Sequence, residues 1–470
     1  MKSINKLPGS ITLLLCMIFT LLLSVVLLTM ESARIQCIKT KSEGISHLSL
    51  ESVMGYFSLP LYERYGLFGI HTSDDAVSLQ LNNYISRNFN PVSCLEGSVY
   101  DLFQIESFDS TPCKIYHLTD NNGSYFIKQI IDYMQYGTFS SSVNFISDYD
   151  LYGHCSGNIE ASDLSNDTYY ELDITEEDAV NTKDSILSKM QELTTNASLT
   201  LYISSTDKVS GKSVDTASLP SKTCIYDQDT VFHSETEKLL FLLYLSDYFS
   251  CYTSDQESEN NSLDYQLEYV LNGSSHDDDN LLQSLKKIQN MRTALNLSYL
   301  YTDTWKRTEA RSLAFAAVGT IPVPFIVEVT QLSILSAWAS AEAIIDVRSL
   351  LKGEKIPLFK TKSSWTLELS DLLVFDQNTT AKKSTLGFTY DQYLSLLIYS
   401  ELNTDLLFRT MDIIQLNIST DDSSDFRLSS CITGLKYNFT YDFHPLFCMP
   451  DFFYKKTSLF QHTFTQSYGY

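Results

Sequence analysis

The sequence predicts an α+β protein in which an N-terminal transmembrane helix continues as a long helix and precedes a mixed helical and antiparallel-β ectodomain. Three observations support this fold class. Residues 11–30 carry no charge, residues 231–418 repeat apolar side chains at helical spacing, and residues 437–443 alternate aromatic with polar side chains. Periods of 3.6 and 2 residues are those of an amphipathic helix and of a half-buried strand.

The composition of the chain excludes several classes of protein. Its 470 residues include 33 Lys and Arg against 57 Asp and Glu, which gives a net charge of −24. The length corresponds to about three domains or to two larger ones, and 44% hydrophobic residues suffice for a buried core. Binding to nucleic acid or to an anionic membrane surface requires clustered basic residues, so neither partner is expected. We expect a solvated, acidic surface.

The apolar run Ile11–Met30 has the clearest physical meaning. Twenty helical residues at 1.5 Å each span about 30 Å, the thickness of the hydrocarbon core of a bilayer. A cleaved signal peptide would have a shorter apolar region and small residues before its cleavage site, whereas the candidate Glu31–Ala33 begins with a charge. A lipoprotein would need a small residue before its cysteine, and Cys16 lacks one. The run therefore predicts an uncleaved anchor with a single span.

The orientation of this span follows from features other than its flanking charges, because basic residues are nearly balanced on its two sides. A tail of nine residues is too short to be a domain, and the bulk of the chain is acidic and contains cysteines. We therefore expect a single-pass protein of the cell membrane whose C-terminal ectodomain is extracellular. Leu313–Val327 is a further apolar stretch, but it is too short to cross a bilayer and is interrupted by Gly319 and two prolines.

Helical spacing continues beyond the span. Ile35, Ile38, Ile45 and Leu48 fall near one stripe, and small residues between them would allow close helix packing. Pro60 should end or bend the helix. The pattern predicts one helix of roughly 50 residues, or about 75 Å, whose second half docks on a head domain. The alternative is a membrane anchor followed by a separate short helix.

The rest of the chain shows β-like, helical and again β-like patterns. Short β-like runs occur at Ser98–Phe103 and Val143–Ile146, and Asn121–Gly123 indicates a turn. Later in the chain, capping boxes precede apolar runs of helical spacing, and the aromatic alternation at residues 437–443 indicates a strand. The predicted segments are a cytoplasmic tail (1–9), the transmembrane helix (10–30), a helical extension (31–62), a β-rich and loop-rich acidic region (63–230), a mainly helical region (231–418) and a C-terminal β region (419–470).

Nine cysteines give weak support for an oxidising compartment. Cys16 lies in the span, and the even number that remains fits disulfides, although eight cysteines allow 105 pairings. The two closest in sequence, Cys431 and Cys448, form the candidate disulfide. No C-x-x-C pair occurs, so zinc ribbons and thioredoxin-like redox chemistry have no support.

No catalytic, cofactor-binding or metal-binding motif emerges from the sequence. His276–Asp279 lacks the spacing of a calcium loop, so a solvated turn is the preferred interpretation. Glu342 and Asp346 lie one helical turn apart beside Arg348, which favours an ion pair or a satisfied interface over acid–base chemistry. Trp338 and Trp365 are expected to be core residues. The sequence therefore predicts a protein that is not an enzyme.

Several segments resemble a known family. The patterns GSITLLL, SARIQC and YERYGLFGI near the N-terminus look like the start of TadE/TadG-like proteins of tight-adherence (Tad/Flp, type IVb-like) pilus systems. They are most similar to the long, uncharacterised clostridial branch, which the patterns LDYQLEYVLNGSSHDDDNL, AWASAEAIIDVRSLLKGEKIPLFKTKSSW and FTYDQYLSLLIYS also resemble. The resemblance implies a membrane-anchored, pilin-like protein that faces outward and is accessory to pilus assembly. Its partners would be the bilayer and other pilus or surface-assembly proteins.

One position departs from the pattern of processed pilins. Pilins that a prepilin peptidase cleaves carry Glu at the fifth position after the cleaved Gly, and cleavage after Gly9 would place Leu14 there. The resemblance therefore favours an unprocessed, TadG-like anchor over a major pilin. The residues predicted to mediate membrane insertion and assembly are Gly9, the span from Ile11 to Met30, Ser32, Ala33 and Ser42.

We thus expect a membrane-anchored extracellular structural or interaction protein, an accessory or pseudopilin-like component of a Tad-type pilus or cell-surface assembly. The first alternative is an anchored surface adhesin or ligand-binding module that uses the aromatic C-terminal sheet. A surface hydrolase is the weaker alternative, because the chain lacks a recognisable catalytic constellation.

Overall fold

The chain forms two compact units. The first combines Met1–Asp120 with Arg427–Tyr470, and the second is Asn121–Phe426. The computed structural model describes residues 9–89, 103, 105–136, 188, 198–203, 209–227, 232–254, 261–318, 324–373, 379, 381–382, 384, 386–421, 425–447 and 460–470. The fold is α+β, as predicted, with a long apolar N-terminal helix that is followed, among the described residues, by helices and one antiparallel sheet.

The first unit contains the long helix and the sheet. Its elements are α1 (Gly9–Met54), α2 (Leu59–Tyr65), β1 (Ile70–His71), α3 (Asp74–Phe89), β2 (Ile105–His117), β3 (Cys431–Phe443) and β4 (Phe460–Gly469), with a short 3-10 helix at Leu428–Ser430. Strand β3 is central, because β1, β2 and β4 all pair with it in antiparallel register. The prediction of one uninterrupted helix is confirmed, and Pro60 lies in the first turn of α2 rather than at the end of α1.

The core of this unit lies between α1, α3 and the sheet. The aromatic side chains of β3 that alternate in the sequence, from Tyr437 to Phe443, are buried, which confirms the predicted strand. They pack against apolar side chains of α1 and α3. The buried cluster comprises Ile45, Leu50, Val53, Met54, Ile70, Val77, Leu81, Ile85, Ile432, Leu435, Tyr437, Phe439 and Tyr441.

The second unit is helical in its described part. Its helices are α4 (Asp120–Tyr136), α5 (Leu199–Tyr202), α6 (Pro220–Thr223), α7 (Glu235–Tyr248), α8 (Gln266–Asn272), α9 (Asp277–Thr302), α10 (Thr304–Val318), α11 (Pro324–Leu351), α12 (Tyr390–Glu401) and α13 (Thr404–Asp421), with a 3-10 helix at Leu369–Leu373. The apolar stretch Leu313–Val327 supplies the end of α10 and the start of α11.

Local sequence signals account for several helix boundaries. The side chain of Ser234 accepts a hydrogen bond from the backbone N–H of Glu237, and the predicted capping box of Thr389 and Gln392 is complete. The predicted turn at Asn121–Gly123 has three successive residues in the left-handed conformation, after which α4 is regular. Gly123 has a φ of +77°, which strains any residue with a side chain, and a Cβ atom there would also approach the side-chain ends of Leu407 and Met411 to 2.8 Å, so glycine is favoured.

The region before residue 231 differs from its predicted pattern. Strand β2 has no period-two alternation because most of its side chains are exposed, and Pro112 lies within it. Helices α3 and α4 also lie in this region. The predicted runs Ser98–Phe103, apart from Phe103, and Val143–Ile146 fall outside the described residues. The division of the chain into six segments stays a prediction.

Candidate functional site

The first half of α1 exposes apolar side chains all around the helix. Ile11 is 70% exposed and Met30 is 48% exposed, and the most apolar window has a mean hydropathy of 2.9 with none of its residues buried. Within the described residues this is the one helix long and apolar enough to cross a membrane. Side chains of this kind are stable in lipid but not in water. Helix α1 is therefore a candidate single-pass anchor.

The predicted assembly residues lie on different faces of α1. Gly9 is the first residue of the helix. Ser32 and Ala33 are exposed just beyond the apolar half. Ser42 is fully buried, and its hydroxyl donates a hydrogen bond to the carbonyl oxygen of Lys39 at 2.9 Å. Ser32 and Ala33 thus remain available to a neighbouring molecule, whereas Ser42 contributes to the packing of the chain on itself.

A buried ion pair attaches α1 to the segment that follows β3. The guanidinium of Arg34 donates two hydrogen bonds to the carboxylate of Glu31, at 2.9 and 3.2 Å, and both side chains are almost fully buried. Arg34 also donates to the carbonyl oxygens of Phe103 and His444. The carboxylate of Glu31 accepts the backbone N–H of Phe447 at 3.1 Å. The i,i+3 spacing of a Glu and an Arg directly after an apolar run is the sequence signal for this pair.

The second half of α1 docks on the sheet through polar as well as apolar contacts. The hydroxyl oxygens of Ser46 and Tyr441 lie 2.7 Å apart in the core. The Tyr470 hydroxyl donates to the carbonyl oxygen of Met54, the last residue of α1. Together with the apolar cluster, these contacts fix the sheet against the C-terminal turns of α1, from Ile45 to Met54.

An open groove of about 890 Å³ lies in the second unit. One wall is formed by α10 and the other by the segment from Lys362 to Glu368, with Lys382 at the margin. The side chains along α10 are Trp305, Lys306, Thr308, Glu309 and Ser312. Trp305 is 65% exposed. Trp365 and the neighbouring Trp338 are buried, as expected for core residues, and their rings pack edge to face with centroids 5.9 Å apart.

Lys306 and Glu309 are half-buried in this groove with opposite charges. The ammonium of Lys306 lies 4.3 Å from the ring centroid of Trp338 and 5.2 Å from that of Trp365. Burial lowers the pKa of Lys306 and raises the pKa of Glu309. Neither side chain makes a hydrogen bond or a salt bridge in the described part of the chain, although the two charges act on each other and Asp303, Glu342 and Glu368 also favour the Lys306 ammonium. Neither residue is recognisable from the sequence, because side chains that line a groove do not have to follow the period of a helix or a strand.

A buried network of four charges holds the second wall of the groove. Asp346 accepts two hydrogen bonds from Arg292, at 2.9 and 3.1 Å, and the ammonium of Lys360 lies 2.7 Å from both Asp346 and Glu342. Glu342 also accepts the backbone N–H groups of residues 366 and 367, which line the groove. The two positive and two negative charges balance, so the network satisfies itself. Glu342 and Asp346 therefore form the predicted satisfied interface, and Arg348 instead donates to the Leu201 carbonyl oxygen.

The interpretation of His276–Asp279 as a solvated turn is wrong for Asp277. Its carboxylate is fully buried and accepts the hydroxyl of Ser210 at 2.7 Å and the backbone N–H of Asp264 at 2.9 Å. Asp277 begins α9 and ties two preceding segments to that helix. No group of His, Cys, Asp or Glu among the described residues is arranged to hold a metal ion.

Of the two cysteines of the candidate disulfide, Cys431 lies among the described residues. Cys431 is buried at the start of β3, and its thiol donates to the carbonyl oxygen of Arg427 at 3.6 Å. Cys448 lies outside the described residues. Cys431 is a free thiol in this structure, and its pairing with Cys448 stays a prediction.

The comparisons identify a family but no activity. No curated protein and no solved structure matches the chain. A family model, DUF5702, described as a family of unknown function, matches residues 176–443. That segment covers more than half of the chain and includes the groove and the buried charge network, whereas α1 lies outside it. The chain therefore belongs to the DUF5702 family.

Proposed function

We propose that this protein is a membrane-anchored extracellular structural or interaction protein, accessory to a Tad-type pilus or a similar cell-surface assembly. One observation carries the proposal. A single helix, α1, presents an unpacked apolar half and then a half that docks on an antiparallel sheet, the arrangement that a pilin-like protein requires. The sequence resemblance described above supports the same role. The exposed positions Ser32 and Ala33 are the proposed contacts with neighbouring helices.

The test separates assembly from folding. Replacing Ser32 and Ala33 by Trp adds bulk on an exposed face of α1, so the chain should fold and insert while close helix packing is blocked. We expect piliation and surface adhesion to fall to the level of a gene deletion. Replacing both residues by Thr is the matched control, which should keep wild-type piliation. Unchanged piliation in the deletion strain would contradict the assembly role.

The groove favours a second candidate function, an anchored surface module that binds a small ligand. Its volume of about 890 Å³ is in the range of small-molecule sites, and it offers aromatic, acidic and basic side chains to one space. The half-buried carboxyl group of Glu309 beside Lys306 also keeps a surface hydrolase as the weaker alternative. Incubating the protein with candidate ligands and analysing them by mass spectrometry distinguishes binding from turnover.

A further inference from the structure

We propose that the groove between α10 and the segment Lys362–Glu368 binds a ligand with an α-amino-acid group, that is, an ammonium and a carboxylate on the same carbon. Such a group would bring a carboxylate within hydrogen-bond reach of Lys306 and an ammonium within reach of Glu309, whose charges interact with other described side chains only at longer range. This proposal is independent of the assembly role, since it concerns only the second unit. It assigns a ligand class to the family-matched part of the chain.

Lys306 is placed to receive a carboxylate. Its ammonium lies over two indole rings instead of pairing with an acidic side chain among the described residues, in a protein that has 57 acidic and only 33 basic residues. The cation–π contacts hold the ammonium in place but leave its N–H donors unused. A charge-assisted hydrogen bond to a ligand carboxylate would use them.

Glu309 is placed to receive the ammonium of the same ligand. It follows Lys306 by three residues on α10, so the two side chains leave one face of the helix with Cβ atoms roughly 5–6 Å apart. An ammonium and a carboxylate on one carbon are separated by a comparable short distance. Lys306 can therefore contact the carboxylate of the ligand while Glu309 contacts its ammonium.

The charged side chains of the groove, taken together, exclude ligands that carry charges of only one sign. Asp303, Glu309 and Glu368 would repel a polyanion, and Lys306, Lys362 and Lys382 would repel a polycation. A ligand that carries both signs matches this balance. The groove is also larger than the charged group alone, and the exposed indole of Trp305 offers a contact for an apolar ligand side chain.

Calorimetry on the full chain in lipid nanodiscs tests the proposal. The probes are L-phenylalanine, glycine, N-acetyl-phenylalanine and phenylalanine amide, which differ in side chain or lack one of the two charges. The chain has three tryptophans, and Trp305, Trp338 and Trp365 all lie at or directly behind the groove. Tryptophan fluorescence excited at long wavelength therefore reports on this site in parallel.

We expect saturable binding of free phenylalanine with a change in tryptophan fluorescence, and weaker binding of glycine because it lacks the apolar side chain. Removing either charge of the ligand should raise Kd by about tenfold or more. The variants Lys306→Gln and Glu309→Gln should have the same effect. Lys286→Gln, which alters an exposed lysine of α9 outside the groove, should bind as the wild type does.

Three results would overturn the proposal: no saturable binding of either free amino acid, equal binding of the free and the capped ligands, or wild-type binding by both groove variants. Circular dichroism establishes that each variant is folded. Should Lys306→Gln unfold because its indole contacts are lost, Glu309→Gln decides the matter alone, since its side chain has no hydrogen-bond partner among the described residues. Piliation does not enter this experiment, so the assembly role can fail or succeed separately.

Discussion

Glu268 is a buried carboxyl group whose surroundings favour its protonated form. It lies on α8 with no exposure to solvent, and one of its oxygens accepts the hydroxyl of Tyr390 and the backbone N–H of Tyr252, each at 3.0 Å. The other oxygen has no hydrogen-bond partner within the described part of the chain. Burial, with a smaller contribution from Asp277, raises the pKa of Glu268 to about 7.

This pKa makes the stability of the second unit depend on pH. In the folded state the pKa is above the ordinary value of 4.5, so the folded chain binds the proton more tightly than the unfolded chain does. Below pH 4.5 the carboxyl group is protonated in both the folded and the unfolded chain, so it gives no pH dependence there. As the pH rises from 4.5 through 7, the free energy of unfolding falls by up to about 3 kcal/mol. Replacing Glu268 by Gln removes this dependence.

We expect Glu268→Gln to gain thermal stability relative to the wild type when the pH is raised from 5 to 8. The relative gain in the apparent Tm should be roughly 5 °C or more, measured by circular dichroism of the full chain in detergent. Glu51→Gln, at an exposed position of α1, is the control and should differ from the wild type equally at both pH values. If the Tm of Glu268→Gln also differed from that of the wild type by the same amount at pH 5 and pH 8, the raised pKa of Glu268 would be contradicted.

Single residues also mark the limit of what the sequence predicts. The spacing of Glu342 and Asp346 places them on one face of a helix, and the structure agrees. Their partners Arg292 and Lys360 lie on other parts of the chain, and no sequence period connects them. Tertiary contacts of this kind depend on how helices pack, which also explains why the groove residues Lys306 and Glu309 were not recognised.

At the scale of elements, α1 depends on the ion pair of Glu31 and Arg34 for its attachment to the segment after β3. Replacing Glu31 by Gln leaves the buried guanidinium of Arg34 without its counter-charge, which typically costs about 3–5 kcal/mol. We expect the amides of Leu446 and Phe447, which donate to Glu31, to exchange their hydrogens much faster. Hydrogen exchange followed by mass spectrometry measures this protection.

A double variant distinguishes loss of the charge balance from loss of the side chain. Glu31→Gln combined with Arg34→Met removes both charges, so it should be less destabilised than Glu31→Gln alone. Unchanged protection at residues 446 and 447 in the single variant would show that Glu31 does not hold this segment.

Elements differ in how well the sequence predicts them. Strand β3 was recognisable because one of its faces is buried, which forces its aromatic and polar side chains to alternate. Its partner β2 was not, since its side chains are largely exposed and impose no such pattern. Helix α1 was predictable over its whole length, since apolar composition fixes its first half and a stripe that includes the buried Ile38 and Ile45 fixes its second, although Leu48 of the predicted stripe is exposed.

For the whole molecule, the orientation in the membrane can be tested with the native cysteines. Cys37 is exposed on α1 shortly after the apolar half, and Cys113 is exposed on β2. If the ectodomain is extracellular, a membrane-impermeant maleimide should modify both in intact cells, with the sites mapped by mass spectrometry. Cys431 is the internal control, because it is buried and its burial raises the pKa of the thiol. Modification of Cys37 and Cys113 only after permeabilisation would reverse the proposed orientation.

The discontinuity of the first unit sets an order of events during biosynthesis. Its central strand β3 and the partner β4 come from the C-terminal end, whereas α1, β1 and β2 come from the first 120 residues. About 300 residues of the second unit are synthesised in between, which at about 5–20 residues per second takes roughly 15–60 s. Throughout that interval the face of α1 that docks on β3 stays uncovered, because β3 has not yet been synthesised. The apolar stripe of α1 is thus exposed to chaperones until β3 has been synthesised.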